Sequence, residues 1–277
     1  MSGRAYRAST ASVAARRSGA VESGGHRGRL TPEAVVMWAA YVLTVAGNVA
    51  IEAGRLGSVT SATVAYGVFA WFTPAGYVFS IWSLIYVALI VWLVSYTKGA
   101  SARRRLFTPT AGLFVASSVL NVLWLVLWHF QMIAASFVVI LIDWFVLAAL
   151  YLTVRRGTDS LAGWVPVSIY TAWVTVATLS NLAIVVTRAV GGGVPLLNGL
   201  SVVVLTAGVV SLGLFMWAKF GDVTFQLVFL WALVGVGVHV LEVSSVTAVA
   251  VWVLCALGGL PMLVSFAKSR SASRGRA

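Results

Sequence analysis

The chain has 277 residues, 60% hydrophobic and only 9% charged, with a formal net charge of +12 and one cysteine. A soluble domain carries about 25% charged residues, so this sequence lacks the material for a solvated surface and a soluble globular enzyme is excluded. Cys255, alone in an apolar run, excludes an intrachain disulfide and a Cys-rich metal site.

In chain order, Met1 to Thr31 is rich in Ser, Ala, Gly and Arg, with Glu22 as its one acid. It has no apolar periodicity, which predicts a disordered basic tail over residues 1–34. The same composition matches an organellar transit peptide. Beyond Tyr6 the basic tails hold no aromatic on which a base could stack, so no nucleic-acid partner is expected.

Eight apolar stretches follow, at about 35–52, 76–97, 107–128, 132–154, 161–187, 194–217, 223–241 and 244–267. Lipid supplies no hydrogen bonds, so each must be a helix that satisfies its own backbone. The predicted fold class is an all-α polytopic membrane bundle. A second basic tail covers 269–277. With the N-terminus inside, 17 of the 19 Lys and Arg fall in inner segments, and only Arg55 and Arg188 fall outside. That asymmetry predicts both termini on the positive, cytoplasmic-type side of a plasma or organellar membrane.

The one long connection, Ala53 to Ala75, carries Tyr66, Phe69, Trp71 and Phe72 and is too apolar for a solvated linker. It is expected to fold back over the bundle mouth or lie in the interface. Gly191 to Gly193 reads as a flexible loop.

Twelve tryptophans are many for this length. Trp38, Trp71, Trp92, Trp164 and Trp217 lie near span ends and read as an interfacial belt. Trp82, Trp124, Trp144 and Trp173 lie deeper. Phe79, Trp82 and Tyr86 share a helix face, as do Asn121, Trp124 and Trp128, and as do Tyr170, Trp173, Ala177 and Asn181. Trp and Tyr present an apolar face and a polar handle, and an intramembrane Asn needs a partner across helices. Two readings stand: interhelical contacts, or the wall of a pocket for a flat or lipid-like ligand.

Asp143 is the one acid well inside a span, a costly placement that marks a candidate functional group or a hydrogen-bonded interhelical contact. No Lys or Arg matches its depth, which removes a buried ion pair and a retinal Schiff base. His239 with Glu242, and Glu52 with Arg55, with Arg188 and His129 on the same side, read as a polar rim with ordinary surface pairs. No nucleotide-binding loop, HExxH or GxSxG motif occurs. Gly213, Gly235 and Gly237 would permit close helix approach.

The run FTPAGYVFSIWSLIY (Phe72 to Tyr86) resembles the lead-in to the second helix of the TspO/translocator-protein superfamily, the tryptophan-rich sensory proteins once called peripheral benzodiazepine receptors. LNVLW (Leu120 to Trp124) is similar to that family's Leu-Asn-x-x-Trp. Asp143 stands where relatives often carry an acid. VPVSIYTAWVTVATLSN (Val165 to Asn181) resembles its Pro-Tyr-x-x-Trp-x-x-x-Ala-x-x-x-Asn helix, with Ile169 in place of the proline before the tyrosine. The pieces agree in order from about Val35 to Thr187. Typical members are five-helix bundles, so the chain looks like an extended, eight-span branch.

The resemblance implies a five-helix TspO-like unit over 35–187, followed by three additional spans over 188–268 that have no assigned role. It implies a pocket under the long loop that takes porphyrins, sterols or aromatic ligands. Carried over by motif, its wall is Trp82, Tyr86, Asn121, Trp124, Asp143, Trp173, Ala177 and Asn181. The expected function is binding of a hydrophobic planar ligand (tetrapyrrole, sterol or similar lipid) for sensing or transport, without catalysis and without a bound cofactor or metal. A secondary transporter or channel with Asp143 as coupling carboxylate is the alternative, and a structural or assembly role is a third. Partners are the ligand and membrane lipids, and a homodimer is compatible with the sequence.

Overall fold

The computed structural model describes residues 31–98 and 107–274. Of the tail expected over 1–34 (disordered, or a transit peptide), residues 1–30 lie outside these, as do Arg103 to Arg105 and the last three residues; 32–34 correct that bound, since they form the first turn of a helix with Glu33 and Ala34 buried. Eight helices long and apolar enough to cross a membrane are present among the described residues. They are α1 (Pro32–Ala53), α2 (Ile81–Lys98), α3 (Pro109–His129), α4 (Ile133–Gly157), α5 (Leu161–Val190), α6 (Pro195–Phe220), α7 (Val223–Val240) and α8 (Ser245–Arg274). The protein is thus an integral, multi-pass membrane protein, and the expected spans match these helices to within a few residues. Helix α8 continues to Arg274, so most of the basic stretch expected from 269 has helical backbone.

Local chemistry sets the helix starts. Helices α1, α3 and α6 begin with proline in the first turn, where its missing N–H is one the helix could not have paired. Thr31 and Thr108 cap α1 and α3, accepting from the amides of Ala34 (3.2 Å) and Ala111 (3.1 Å). Asp222 caps α7 by accepting from the Thr224 amide at 2.9 Å.

Helices α1 to α5 form a ring in the order α1, α3, α4, α5, α2, closed by a thin contact between α2 and α1. Helices α6, α7 and α8 pack on one another, and α7 also packs on α5 and on the 3-10 turn Gly76–Ser80 that leads into α2. Helices α5 and α7 are therefore the two most enclosed spans, while α1 and α8 are the most exposed to the surroundings.

The two ends differ. One end carries the start of α1, the end of α2 and the connections after α4 and α6; we term it the basic end. There Glu33 of α1 is fully buried, and its Oε1 accepts from the Thr108 amide (2.9 Å), the Thr108 hydroxyl (2.5 Å) and Tyr96 (3.1 Å), joining three helices. Asp222 is also fully buried and accepts from Tyr151 of α4 (2.9 Å) and Ser168 of α5 (2.6 Å). It therefore fastens the start of α7 to the α1–α5 ring. Arg155 donates to the Phe220 carbonyl and lies 4.2 Å over the Trp164 ring.

At the opposite end the Ala53 to Ala75 connection folds over the bundle. It contains the 3-10 turn Leu56–Ser58 and a short helix, Ser61–Ala65. Val64, Ala65, Ala70, Phe72 and Thr73 are buried. Trp128 donates to the Ser61 carbonyl at 3.2 Å, and the Ala75 amide donates to the Gly235 carbonyl of α7 at 3.0 Å. The loop thus covers α3 and reaches across to α7, spanning both units.

Two expectations need correction. Trp92 and Trp164 do not stand in an interfacial belt: they are 1% and 6% exposed and face neighbouring helices. Trp92 packs 5.0 Å from Phe114 and Trp164 lies under Arg155. The polar rim also fails at its histidines, since His129 and His239 are 1% and 5% exposed. Glu52 pairs with His129 at 3.3 Å, not with Arg55, because the loop folds back and lets the Glu52 carboxylate also take the amide and hydroxyl of Ser61.

Candidate functional site

The three stripes read from helical spacing meet inside the α1–α5 ring. Trp82 of α2 is the hub. It stacks on Trp124 of α3 (centroids 6.2 Å, 30°) and on Tyr86 (5.9 Å), and meets Trp173 of α5 edge-on at 6.3 Å. Phe79 adds a second edge contact to Trp173 at 6.1 Å. Offset and edge arrangements of this kind satisfy ring quadrupoles, so the cluster is a stiff wall as it stands.

Amides pin it from both sides. Asn48 of α1 donates to Tyr86 Oη (2.9 Å) and to Asn121 Oδ1 (2.8 Å). Asn181 of α5, oriented to satisfy its neighbours, donates to the Ile133 carbonyl (3.2 Å) and accepts from Ser136 (3.0 Å) and Trp124 Nε1 (3.3 Å). Asn48 was missed in the sequence, although the rule that singled out Asn121 and Asn181 applies to it: an amide inside an apolar span must find a partner across helices.

Around this wall the open space is divided. A cleft of about 190 Å³ lies between α1 and α2 and is lined by Asn48, Glu52, Ser61, Phe79, Trp82, Tyr86 and Trp124, among others. Beneath the loop, a void of only about 20 Å³ is bounded by Thr73, Phe79, Trp82, Trp124, Trp173, Ala177, Ser180 and Asn181. A third, of about 10 Å³, touches Trp82, Tyr86, Asn121 and Tyr170. A ligand pocket for a drug-sized molecule needs roughly 300–1,000 Å³, so the aromatic interior is closed around its own side chains.

The sub-loop void carries an imbalance. Thr73 Oγ1, Trp173 Nε1 and Ser180 Oγ border it, are buried, and have no hydrogen-bond partner among the described residues. A buried donor without a partner costs about 1–3 kcal/mol, so three around one aromatic space form a polar edge that an acceptor would satisfy.

Seven of the eight expected wall residues, Trp82, Tyr86, Asn121, Trp124, Trp173, Ala177 and Asn181, border these spaces. Asp143 does not. It sits on α4 at 1% exposure, and its polar neighbours are Ser117 and Tyr170, which bond to each other at 3.3 Å. Trp144, the other deep tryptophan of α4, donates to Thr175 at 2.9 Å. Among the described residues no group of His, Cys, Asp and Glu converges to hold a metal ion.

A separate cavity of about 420 Å³ lies where the loop meets α7. Its lining is Tyr66, Val68, Phe69, Ala75, Gly76, His239 and Glu242. Burial and the neighbouring Glu242 charge push the Tyr66 phenol above its ordinary range.

Searches among curated proteins and among solved structures return no match. A family model described as TSPO-like protein matches residues 34–264. The match runs from the first turn of α1 into α8, so it takes in α6 to α8 as well as the ring that carries the aromatic stripes. The chain belongs to the TSPO-like protein family.

Proposed function

We propose that this protein binds a hydrophobic, planar molecule (a tetrapyrrole, a sterol or a similar lipid) against the Trp82, Trp124 and Trp173 wall, and that occupancy serves sensing or transport. The observation that carries this reading is the aromatic space beneath the loop with its three unpartnered donors. Flat faces favour a planar body, and the donors favour a carboxylate, carbonyl or hydroxyl at its edge. Asn121 and Asn181 would orient that edge. The present spaces are too small for such a ligand, so entry requires displacement of α1, the span with a thin contact to α2 and little burial of its own. The ligand would arrive through the cleft between α1 and α2, from the lipid side. The termini are assigned to the cytoplasmic-type side on the charge asymmetry.

Quenching of tryptophan fluorescence by protoporphyrin in detergent tests the proposal, with Trp173→Ala and Asn181→Ala compared with the unaltered protein. Saturable quenching that weakens in both variants is expected. Weak, unsaturable quenching, identical in all three, would remove porphyrin as ligand.

The buried carboxylate of Asp143 favours a second reading, a transporter in which this group takes up and releases a proton. Loss of proton-coupled uptake in Asp143→Asn, with porphyrin quenching intact, would favour it.

A further inference from the structure

The cavity between the long loop and α7 lies outside the α1–α5 ring and has a chemistry of its own. Two aromatic rings, Tyr66 and Phe69, stand in its wall beside His239 and the carboxylate of Glu242. Three of the wall side chains are held in place. Tyr66 donates to the Pro74 carbonyl at 2.9 Å, and Phe69 stacks on the His239 ring with centroids 4.4 Å apart and planes 20° apart. His239 bonds to the Ala70 backbone.

Its groups are unbalanced in one direction. His239 is 5% exposed, and its Nε2 has no hydrogen-bond partner. A ring nitrogen bonded to a backbone carbonyl carries the proton, which leaves the other as a bare acceptor in the neutral imidazole. Glu242 lies in the wall, and its carboxylate has no hydrogen-bond or ion-pair partner among the described residues. Arg188 reaches Gly67 on the loop but does not line the cavity. The Glu242 carboxylate and two aromatic rings therefore line a space of about 420 Å³ with no cation in its wall, and the buried, unpartnered His239 Nε2 belongs to a ring of that same wall.

We propose that this cavity is a binding site for a protonated arylalkyl amine, its N–H groups donating to Glu242 and His239 Nε2 and its apolar body resting on Tyr66 and Phe69. A carboxylate supplies the charge and aromatic faces add attraction for an ammonium. The His239 acceptor distinguishes an amine with N–H donors from a quaternary ammonium, which has none. The site does not depend on the porphyrin-type pocket, and either can be absent while the other is present.

The test is isothermal titration of the full-length protein in detergent with 2-phenylethylamine, its N,N,N-trimethyl analogue and the neutral 2-phenylethanol. The primary amine is expected to bind saturably, and both analogues about tenfold or more weakly. Glu242→Gln, a change at an exposed side chain, is expected to weaken the amine about tenfold. His239→Phe keeps the stack on Phe69 and is expected to narrow the gap between the amine and its trimethyl analogue. Trp82→Ala is expected to leave amine binding unchanged, which separates this site from the ring interior. Absence of saturable amine binding, equal binding of 2-phenylethanol, equal binding of the trimethyl analogue, or no effect of Glu242→Gln would each overturn the proposal.

Discussion

Helices α1–α5 and helices α6–α8 are held together by different means. In the first unit, large rings and hydrogen-bonded amides meet across helices, as in the Trp82–Trp124 stack and the Asn48–Asn121–Tyr86 network. In the second, glycines make room for side chains of the neighbouring element. A methyl group on Gly213 of α6 would overlap the Gln226 amide of α7, and one on Gly237 of α7 would overlap the Trp252 indole of α8. Gly235 likewise leaves room for Val78, which brings the lead-in to α2 against α7. In lipid there is no hydrophobic drive between helices, so both polar bonding and close van der Waals contact can supply the attraction. The difference shows where a ligand can be admitted. Aromatic packing leaves irregular spaces and unpaired donors that a guest can use, whereas the glycine contacts of α6 with α7 and of α7 with α8 are filled by the neighbouring side chain; the larger cavity beside α7 lies where the loop covers that helix.

The comparison makes predictions of decreasing size. The largest effect is expected where close approach is abolished. Gly213→Val should destabilise the second unit by roughly 3 kcal/mol, since overpacking costs about 1–3 kcal/mol and here the neighbour is a buried amide. Denaturant titration in detergent would show it; tolerance of valine would mean that α6 and α7 do not rely on this contact. Next is the fastening between the units. Asp222→Ala removes the α7 cap and the acceptor for Tyr151 and Ser168, and should cost about 2–3 kcal/mol. Proteolysis between α5 and α6 should then speed up.

Within the first unit, Asn48→Leu should lose about 1–2 kcal/mol of stability and loosen α1, which would speed the onset of porphyrin quenching. Slower onset would contradict entry beside α1. The smallest effect is expected at Glu52→Gln, because its pair with His129 has a carboxylate that is 45% exposed. Such pairs contribute about 0–1 kcal/mol, and a larger loss would mean that the loop fold rests on Glu52.

Much of the aromatic site was legible from spacing. A ring at i, i+3 and i+7 must share a face, so Trp82 and Tyr86 had to look the same way, as did Trp173 and Asn181. What they faced was not legible. In a soluble helix a polar side reveals which face is buried, but in lipid the outward side is as apolar as the inward one, and that signal disappears. For the same reason Trp92 and Trp164 resembled interfacial residues and are buried, and His239 looked like a rim residue while it stacks beneath the loop.

The sequence by itself determined eight spans, their alternating charge and the stripes along them, because hydropathy over about 20 residues and side-chain period are local properties of the chain. The tertiary structure decided the ring order α1, α3, α4, α5, α2, the enclosure of α7, the separation of Asp143 from the aromatic wall and the cavity shared by the loop and α7. Those depend on which faces meet, and that choice is made by steric fit and by hydrogen bonds between residues far apart in the chain, such as Asn48 with Asn121 and Asp222 with Tyr151.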